Sequence, residues 1–430
     1  MFKFAHMADI HIGAHKEKRL KELEIESFNE SIDTCVKEGV KFIIIAGDFF
    51  HTPAPELEQV KRIIKKLKEL SELKIPVYVI YGSHDYNKLR PDSSMIALLE
   101  EAGLIVKIHN PKWINGKVRL EIHQDRETGV KLVGIAARKV GLEREVFEKL
   151  DKEYLESQDG FKIFIFHSGI VECLPSFLKS VGDDEWVPIN WFPKGFNYYA
   201  GGHIHKRAEY NNIDWRSKFP GYQNVIFPGP SFIGHGRDYE DVAKGEKRGL
   251  YIISCEDNKI IENGIRFVER KNMEGNYIEF DVTGKGSNQV NEEIKRKLEE
   301  EEVENKLVIV KIKGELASGR SSDIDFMGIR KSLTKRNAIL AGINRENVTS
   351  KEYQRIRVSS ENKDEIEEDS FRANIVNIKS ENKLLQNENG IETAKELLRI
   401  LKEAPESGEI KQKVTRDAKE ILEILEMIEE

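Results

Sequence analysis

The chain has 430 residues, of which 33% are charged, and a formal net charge of -7 at pH 7. This length is enough for two or more domains, and no apolar run approaches the roughly 20 residues that a membrane-spanning helix requires. Three cysteines without paired spacing (Cys35, Cys173 and Cys255) favour neither a disulfide framework nor a thiolate zinc site. We therefore expect a cytoplasmic protein with no membrane partner.

The charged residues are mostly Lys and Glu and occur with abundant Ile, a bias typical of proteins from hot environments. The negative total does not exclude nucleic acid as a ligand. Contacts to phosphates depend on local Lys and Arg side chains, not on the charge of the whole chain.

Strand-like runs alternate with amphipathic helices in the first part of the chain. Residues 41–46, 76–81 and 162–166 are short, apolar and rich in β-branched or aromatic residues, which predicts buried strands. Residues 57–70 have an apolar stripe at helical spacing. From Gly221 onwards, strand-like runs with Pro-Gly breaks predict a second, more antiparallel sheet that completes a sandwich up to about Ile265. The fold class is therefore α/β.

A small α+β unit begins near Phe267. It is predicted to contain strands at 277–282, 307–312 and 337–343 and helices at 290–303 and 326–335. Residues 349–389 are mostly polar, which predicts a linker. Two amphipathic helices, broken at 405–408, then predict a helical hairpin over 390–430. Its apolar stripes require another surface, either a partner protein or the body of this chain.

Five polar clusters each follow an apolar run directly. They are Asp9-Ile10-His11, Gly47-Asp48-Phe49-Phe50-His51, Gly82-Ser83-His84-Asp85, His167, and Gly202-His203-Ile204-His205. Buried strands bring such residues to one edge of a sheet, where ligands of open α/β folds bind. Taken singly, each cluster has an ordinary alternative, such as a turn cap or a solvent-facing imidazole. Six of the 11 histidines nevertheless fall in these clusters, which predicts a site for a pair of metal ions.

The order of these clusters resembles that of the calcineurin-like metallophosphoesterases. Within that superfamily, residues 4–13 and 46–51 resemble the Mre-eleven (Mre11, SbcD-like) nuclease family. The resemblance implies a two-sheet metallophosphoesterase sandwich flanked by helices over residues 1–266. It also implies a DNA-binding α+β capping domain over 267–348, a polar linker over 349–389 and a helix-loop-helix over 390–430 that binds a Rad-fifty-like (Rad50-like) ATPase.

The resemblance also assigns roles to the clustered residues. Asp9, His11 and His205 would bind one metal ion and His167 and His203 a second, with Asp48 bridging both. The family has Asn where this chain has Ser83, and a shorter hydroxyl predicts weaker occupancy of the second site. His84 would act beside the scissile phosphate, with His51 as a second phosphate-side histidine and Asp85 orienting the imidazole of His84. The alternative for His84 and His51 is hydrogen bonding to a ligand residue.

The implied cofactors are two Mn²⁺ ions per subunit, with Mg²⁺ or Fe²⁺ possible; ATP would act only through the partner ATPase. Such ions would activate water for in-line attack on phosphorus and neutralise the phosphate oxygens. The implied activity is that of a nuclease that processes double-strand breaks, as a 3'-5' exonuclease on double-stranded DNA and an endonuclease on single strands. We expect a nucleoid-associated homodimer, paired through helices near residues 20–38 and 92–102.

Two other functions fit the same metal core. One is a phosphomonoesterase or small-nucleotide phosphodiesterase, which the additional domain and hairpin disfavour. The other is a DNA-end tether with impaired catalysis, suggested by Ser83 alone. Candidate DNA contacts are basic residues in two groups, with ordinary solvated charges as the alternative: Arg207, Arg216, Lys218, Arg237, Lys247 and Arg248, and then Arg330, Lys331, Lys335 and Arg336.

Overall fold

The computed structural model describes residues 1–86, 94–137, 143–173, 186–234, 236–270 and 274–350, and residues 391–393, 395 and 399 of the tail. Two compact units divide the chain: residues 1–316 with 320–349, and residues 317–319 with 350–430. The helices and strands given below, up to Thr349, belong to the first unit. The predicted linker lies outside the described residues after Ser350, and the predicted hairpin is described only at the five tail residues.

The bounds of the strands and helices, in chain order, are as follows. The strands are β1 (Phe2–Met7), β2 (Phe42–Ala46), β3 (Val77–Ile80), β4 (Val106–Lys107), β5 (Pro111–Ile114), β6 (Lys117–Leu120), β7 (His123–Gln124), β8 (Lys131–Ile135), β9 (Lys162–His167), β10 (Tyr198–Gly202), β11 (Ala208–Tyr210), β12 (Val225–Phe227), β13 (Gly249–Glu256), β14 (Lys259–Glu269), β15 (Glu274–Asp281), β16 (Lys306–Leu316) and β17 (Leu340–Ser350). The helices are α1 (Lys18–Glu38), α2 (Leu57–Glu72), α3 (Met95–Glu101), α4 (Glu143–Glu148), α5 (Lys152–Glu156), α6 (Ile213–Lys218), α7 (Gly236–Ala243), α8 (Ser287–Glu300) and α9 (Phe326–Lys335).

Two six-stranded sheets form the α/β sandwich that the sequence predicts. The first sheet has the order β14-β13-β1-β2-β3-β4 and the second the order β11-β12-β10-β9-β8-β7. The central strands of both are parallel: β1 with β2, β2 with β3, β8 with β9, and β9 with β10. Because β2 contacts β9 and β10 across the interior, the carboxyl ends of the two sets of strands meet.

The burial of apolar side chains explains why these residues form strands and helices. Every residue of β2 is buried, as expected for a central strand covered on both faces, and the apolar stripe of α2 is buried through Val60, Ile63 and Leu67. Helix α1 ends at Gly39, whose φ of 70° permits the left-handed turn. The predicted strands 41–46, 76–81 and 162–166 and the helix 57–70 are confirmed, with small shifts at their ends.

The predicted pairing of the strands after Gly221 was wrong. Strand β12 joins the second sheet, parallel to β10, and the hairpin of β13 and β14 returns to the first sheet, antiparallel to β1. These residues therefore do not build an antiparallel sheet of their own. Pairing between strands more than 200 residues apart cannot be read from local periodicity, which reports only which faces are buried.

A third sheet, in the order β15-β16-β17, packs with α8 and α9 around a separate apolar cluster that includes Val308, Val310 and Ile312. The predicted helix 326–335 is confirmed as α9, and the other four elements predicted for this region appear with shifted ends. The opposite face of this sheet, including Leu307 and Ile309, packs with residues of α1 and α7. Among the described residues, no helix is long and apolar enough to span a bilayer.

The apolar stripes of α1 and α3 serve the domain's own core. Phe28, Ile32 and Cys35 of α1 are buried there, as are three residues of α3, leaving Val36 and Leu98 as the exposed large apolar side chains of these helices. Residues 92–93, at the start of the second helix predicted to pair subunits, lie outside the described residues, and Ser94 caps α3 by accepting a hydrogen bond from the Ala97 N–H. Most of the apolar surface of the two helices predicted to pair subunits is therefore buried within the domain itself.

Candidate metal centre

The predicted site residues converge at the carboxyl ends of the central strands. Asp9 and His11 follow β1, Asp48 follows β2, Ser83 and His84 follow β3, His167 ends β9, and His203 and His205 follow β10. The loops after β1 and β2 run together, since the His11 N–H donates to the Asp48 carbonyl at 2.9 Å. The His203 N–H donates to the Asp9 carboxylate at 3.0 Å, which joins the strand ends of the two sheets.

Four of these residues have a strained backbone. Asp9, His11, Asp48 and His203 have φ angles of 51°, 52°, 50° and 81°, in the left-handed region. Of the other eight non-glycine residues with positive φ in the described chain, seven are Asn or Asp and one is Lys; an Asn or Asp side chain eases this conformation without removing its cost. Such strain persists only where surrounding contacts impose it, and it concentrates at functional sites.

Two glycines allow the loops to close around His167. A Cβ on Gly47 would lie 2.3 Å from His167 Nδ1, and a Cβ on Gly202 would lie 1.9 Å from the Ala46 carbonyl oxygen. A side chain at Gly47 would therefore collide with His167 at the end of β9, and one at Gly202 would push β10 away from β2. The close approach of these strand ends depends on the missing side chains.

One set of donor atoms consists of Asp9, His11 and His205, all within 4.8 Å of one another. The Nε2 atoms of His11 and His205 are 3.1 Å apart, and His205 Nε2 is 3.9 Å from Asp9 Oδ1. Nitrogen ligands bind divalent ions at roughly 2.0–2.1 Å, so two nitrogens on one ion at right angles are about 3 Å apart. This set fits a single divalent cation.

A second set consists of Asp9, Asp48 and His167. His167 Nε2 lies 3.2 Å from Asp48 Oδ2, and the same carboxylate oxygen lies 3.7 Å from His11 Nε2. Asp48 therefore reaches both sets, as a bridging ligand would. His203 belongs to neither set, although its ring contacts that of His167 with centroids 5.3 Å apart, and the residue is exposed.

Hydrogen bonds fix which imidazole nitrogens are available. His167 Nδ1 donates to the Ala46 carbonyl at 2.8 Å, and His205 Nδ1 pairs with the Asp238 carboxylate at 2.8 Å. In the neutral form of each ring, Nε2 then carries the lone pair that a metal needs. His167 Nε2 is buried and has no hydrogen-bond partner, a costly arrangement that a bound cation would relieve.

The electrostatics also favour a cation. Burial raises the pKa of Asp9, whereas the positive charge of His167 outweighs burial and holds the pKa of Asp48 well below its usual range. Although burial opposes it, the charges of Asp48 and Asp9 raise the pKa of His167 to about 10. Without metal, a proton on His167 supplies the positive charge that these carboxylates require.

Metal binding should therefore release a proton and strengthen as the pH rises. A metal ligand must be a neutral imidazole, and His167 carries its proton below a pKa of about 10. We expect the Mn²⁺ dissociation constant of the second site to fall by about tenfold per pH unit between pH 6 and 9, because one proton is displaced. Calorimetric titration in buffers of different ionisation enthalpy measures the released proton; pH-independent binding without proton release would contradict this assignment.

His84, His51 and His11 form a third group of nearby ring nitrogens. The rings of His84 and His51 stack with centroids 4.7 Å apart, and His84 Nδ1 donates to the His51 carbonyl at 3.0 Å. This hydrogen bond leaves His84 Nε2 as the atom that could meet a phosphate. His51 Nδ1 lies 3.4 Å from His11 Nδ1, so His51 contacts a candidate ligand directly.

The prediction that Asp85 orients the imidazole of His84 was wrong. Its buried carboxylate accepts hydrogen bonds from the backbone N–H groups of Phe50, Gly82 and Phe49, at 2.8, 2.9 and 3.2 Å. It therefore ties the loop after β2 to the loop after β3, and the His51 carbonyl orients the His84 ring instead. Burial, with the nearby charge of Asp48, raises the pKa of Asp85 to about 7.

Sequence reasoning missed two supporting carboxylates. Asp238 of α7 is fully buried and contacts His205, and Glu24 of α1 accepts from His15 Nδ1 at 2.8 Å and from the Gly13 N–H beside His11. Neither follows a predicted strand, which was the signal that identified the other residues. A buried acidic residue in an amphipathic helix, such as Glu24 on the apolar face of α1, is the sign that could have revealed one of them.

Two of the predicted DNA contacts are structural. Arg248 is buried, and its guanidinium donates to the His205 carbonyl at 2.6 Å and to Asp238 at 3.3 Å. Arg336 donates to the carbonyl groups of Leu298 and Glu301 at the end of α8. Both guanidinium groups are therefore held by backbone carbonyl groups, and neither arginine is among the exposed candidates for phosphate contact.

Ser83 lies where the resemblance expects a metal ligand. Its hydroxyl donates to Asp48 Oδ2 at a long 3.4 Å. Replacing it by asparagine should supply an amide oxygen that reaches further, so we expect Ser83→Asn to tighten Mn²⁺ binding at the second site by about tenfold. Activity at limiting Mn²⁺ should rise in parallel. The exposed Ser71→Asn is the matched control, and unchanged affinity in Ser83→Asn would refute the idea.

Comparisons with known proteins agree with the motifs. Residues 2–207 match the calcineurin-like phosphoesterase family. The DNA double-strand break repair protein Mre11 of Methanococcus maripaludis is 31% identical over 48% of this chain and 52% of its own length. The protein of the same name from Sulfolobus acidocaldarius is 28% identical over 57% of this chain and 59% of its own length. These alignments cover only about half of each relative.

Among solved structures, a dimetal phosphatase from Danio rerio matches 62% of this chain and 98% of its own, with a TM-score of 0.37 and 10% identity. This likeness is too distant to bear on function. The sequence matches confirm the resemblance to calcineurin-like phosphoesterases and to archaeal Mre11 proteins that the strand-end clusters indicated.

Proposed function

We propose that this chain, whose residues 2–207 form a calcineurin-like phosphoesterase domain, is a Mn²⁺-dependent DNA nuclease that processes double-strand break ends. By similarity to the Mre11 proteins, it would act as a 3'-5' exonuclease on double-stranded DNA and as an endonuclease on single strands. The observation that carries the proposal is the convergence of Asp9, Asp48, His11, His167 and His205 in two overlapping sets of donor atoms.

These residues would hold the ions in two groups. Asp9, His11 and His205 would bind the first ion, His167 the second, and Asp48 would contact both. His203 and Ser83 would complete the second site after local adjustment, since neither belongs to the compact sets. When bound, the ions would lower the pKa of water and neutralise the phosphate oxygens. Carboxylate and imidazole donors fit Mn²⁺, Fe²⁺ or Mg²⁺.

The chain's own residues perform the remaining steps. His84, held at Nδ1 by the His51 carbonyl, presents Nε2 to hydrogen-bond the scissile phosphate or to donate a proton to the leaving oxygen. Asp85 keeps His84 and Asp48 in register by joining their loops through backbone N–H groups. Asp9, Asp48 and His167 are buried, whereas His84 and His205 are partly exposed and His203 is exposed, so bulk water has access to the site from the side of these three histidines.

The proposed DNA contacts are basic side chains that the structure leaves exposed: Arg207, Arg216, Lys218, Arg237, Arg330, Lys331 and Lys335. Lys247 is also exposed, but its ammonium group pairs with Glu269 at 2.8 Å, and this ion pair weakens its attraction for a phosphate. Such contacts would bind phosphates without sequence preference, and binding would weaken steeply with salt. The nucleoid-associated location in the cytoplasm follows from this proposed substrate.

Two partners are proposed by similarity. The hairpin 390–430 would bind a Rad50-like ATPase, through which alone ATP would act. A homodimer would form through α1 and α3, where the exposed Val36 and Leu98 support a small apolar contact. Size-exclusion chromatography with light scattering tests the dimer, and co-purification of the full chain, compared with a chain ending at residue 389, tests the hairpin.

The experiment that tests the function compares three substrates with and without Mn²⁺: end-labelled duplex DNA, single-stranded DNA and a chromogenic phosphomonoester. Mn²⁺-dependent cleavage of both DNAs with little monoester hydrolysis is expected. Preference for the monoester would identify a small-substrate phosphatase instead. Tight DNA binding without hydrolysis of any substrate would support the DNA-end tether that Ser83 suggests.

A further inference from the structure

Helix α7 (Gly236–Ala243) contacts the candidate metal centre through Asp238. Asp238 is fully buried, and its Oδ2 accepts from His205 Nδ1 at 2.8 Å and from the Gly234 N–H at 2.7 Å. Its Oδ1 pairs with the Arg248 guanidinium at 3.3 Å, and Arg248 also donates to the His205 carbonyl at 2.6 Å. Asp238 and Arg248 together fix both the ring and the backbone of His205.

This contact determines which nitrogen of His205 can bind metal. A carboxylate can only accept, so His205 Nδ1 carries a hydrogen and the lone pair of the neutral ring lies on Nε2, which faces Asp9 and His11. An amide at position 238 could instead donate to Nδ1. It would then stabilise the opposite tautomer, with the hydrogen on Nε2, and block that ligand.

The rest of α7 is attached to the small sheet. Val242 and Ala243 pack with Leu307 and Ile309 of β16, and Glu240 lies 3.6 Å from Lys311 Nζ and 3.3 Å from Asn344 Nδ2. The contact with β15 is tight as well. A Cβ on Gly275 would lie only 2.4 Å from the Ala243 Cα and the Val242 carbonyl oxygen, so strand and helix backbones touch directly.

We infer that α7 is a rigid connection through which the sheet of residues 274–350 fixes the orientation of His205, with Asp238 as the positioning residue. The inference rests on the proposed metal centre. The first turn of this eight-residue helix contacts a predicted metal ligand, and its remaining turn contacts the sheet. A shift of the small sheet against α7 therefore moves Asp238 and changes the affinity for the first ion, without any contact between that sheet and the ligands.

The first test of this inference uses Asp238→Asn, an isosteric change, with the exposed Asp241→Asn of the same helix as the matched control. Mn²⁺ titration of the full chain, followed by electron paramagnetic resonance, measures the affinity of each site. We expect Asp238→Asn to weaken one of two Mn²⁺ sites by about 10–100-fold and to replace the spin-coupled spectrum of an ion pair by that of single ions. Asp241→Asn should leave both unchanged. Equal Mn²⁺ affinities in the two variants would overturn the role of Asp238.

The second test addresses the connection to the sheet. Ile309→Ala and Ile312→Ala remove the same atoms from buried positions of β16, but Ile309 faces α7 whereas Ile312 faces the cluster under α8 and α9. Both should lower the melting temperature, since each creates a cavity. Only Ile309→Ala should also weaken Mn²⁺ binding at the first site, by about fivefold or more.

The outcomes of the two tests are separable. Equal Mn²⁺ affinity in Ile309→Ala and Ile312→Ala, with both variants folded, would overturn the connection through α7. If Ile309→Ala does not fold, Ile309→Val against Ile312→Val gives the same comparison with a smaller cavity. Absence of Mn²⁺ binding by the unaltered chain would instead refute the proposed metal centre itself.

Discussion

Replacing Asp48 by asparagine is expected to abolish Mn²⁺ binding at the second site, to weaken it at the first and to reduce DNA cleavage by at least about a thousandfold. Asp48 Oδ2 lies 3.2 Å from His167 Nε2 and 3.7 Å from His11 Nε2, so one carboxylate lies beside donor atoms of both sets. The amide has the same shape but no charge. It therefore offers two cations much less stabilisation in a buried site where charge compensation is essential.

The fold should tolerate this change. An asparagine oxygen can still accept the His84 N–H, which donates to Asp48 Oδ1 at 2.7 Å. Calorimetric Mn²⁺ titration, circular dichroism and cleavage of end-labelled duplex DNA measure the three properties, with the exposed Asp214→Asn as the control. A folded Asp48→Asn protein that binds two Mn²⁺ ions with unaltered affinity would contradict the assignment of Asp48 as the bridging ligand.

His84→Ala is expected to separate binding from catalysis. His84 belongs to the group with His11 and His51 and lacks a carboxylate partner in that group, so its loss should leave Mn²⁺ affinity within a few-fold. DNA binding should also persist. Cleavage should fall by about 10²–10⁴-fold, the usual effect of removing a group that donates a proton or stabilises charge in the transition state.

Single-turnover cleavage at saturating Mn²⁺ measures this loss, and a filter-binding assay measures DNA affinity in parallel. His123→Ala, in the edge strand β7 of the second sheet, is the matched histidine control. Cleavage close to that of the unaltered chain would remove His84 from the mechanism. Loss of Mn²⁺ binding in His84→Ala would instead identify it as a metal ligand.

The sequence located the metal candidates because one local signal sufficed for them. A buried strand that ends in Asp or His appears as an apolar run followed by a polar cluster, and parallel strands place such ends at one edge. The same signal could not show which of the predicted ligand residues lie in the compact sets of donor atoms. His203 matches the pattern as well as His205 does, yet only His205 has a carboxylate, Asp238, that fixes its ring among the donors.

The features that the sequence did not reveal depend on long-range contacts. No local signal in the sequence distinguishes Asp238 or Arg248 from ordinary surface charges, and the structure buries both. The β13–β14 hairpin was predicted to belong to a second sheet, because the periodicity of its sequence does not specify which strand it pairs with. Asp85 lies beside His84 in sequence, but its carboxylate turns toward the backbone of the loop after β2.

The most direct test of the central claim is anomalous diffraction at the manganese absorption edge from crystals grown or soaked with Mn²⁺. The account predicts two peaks beside the Asp48 carboxylate, one within ligand distance of Asp9, His11 and His205 and the other within ligand distance of His167. Absence of any peak at Asp48, in crystals where Mn²⁺ binding is independently saturated, would contradict it.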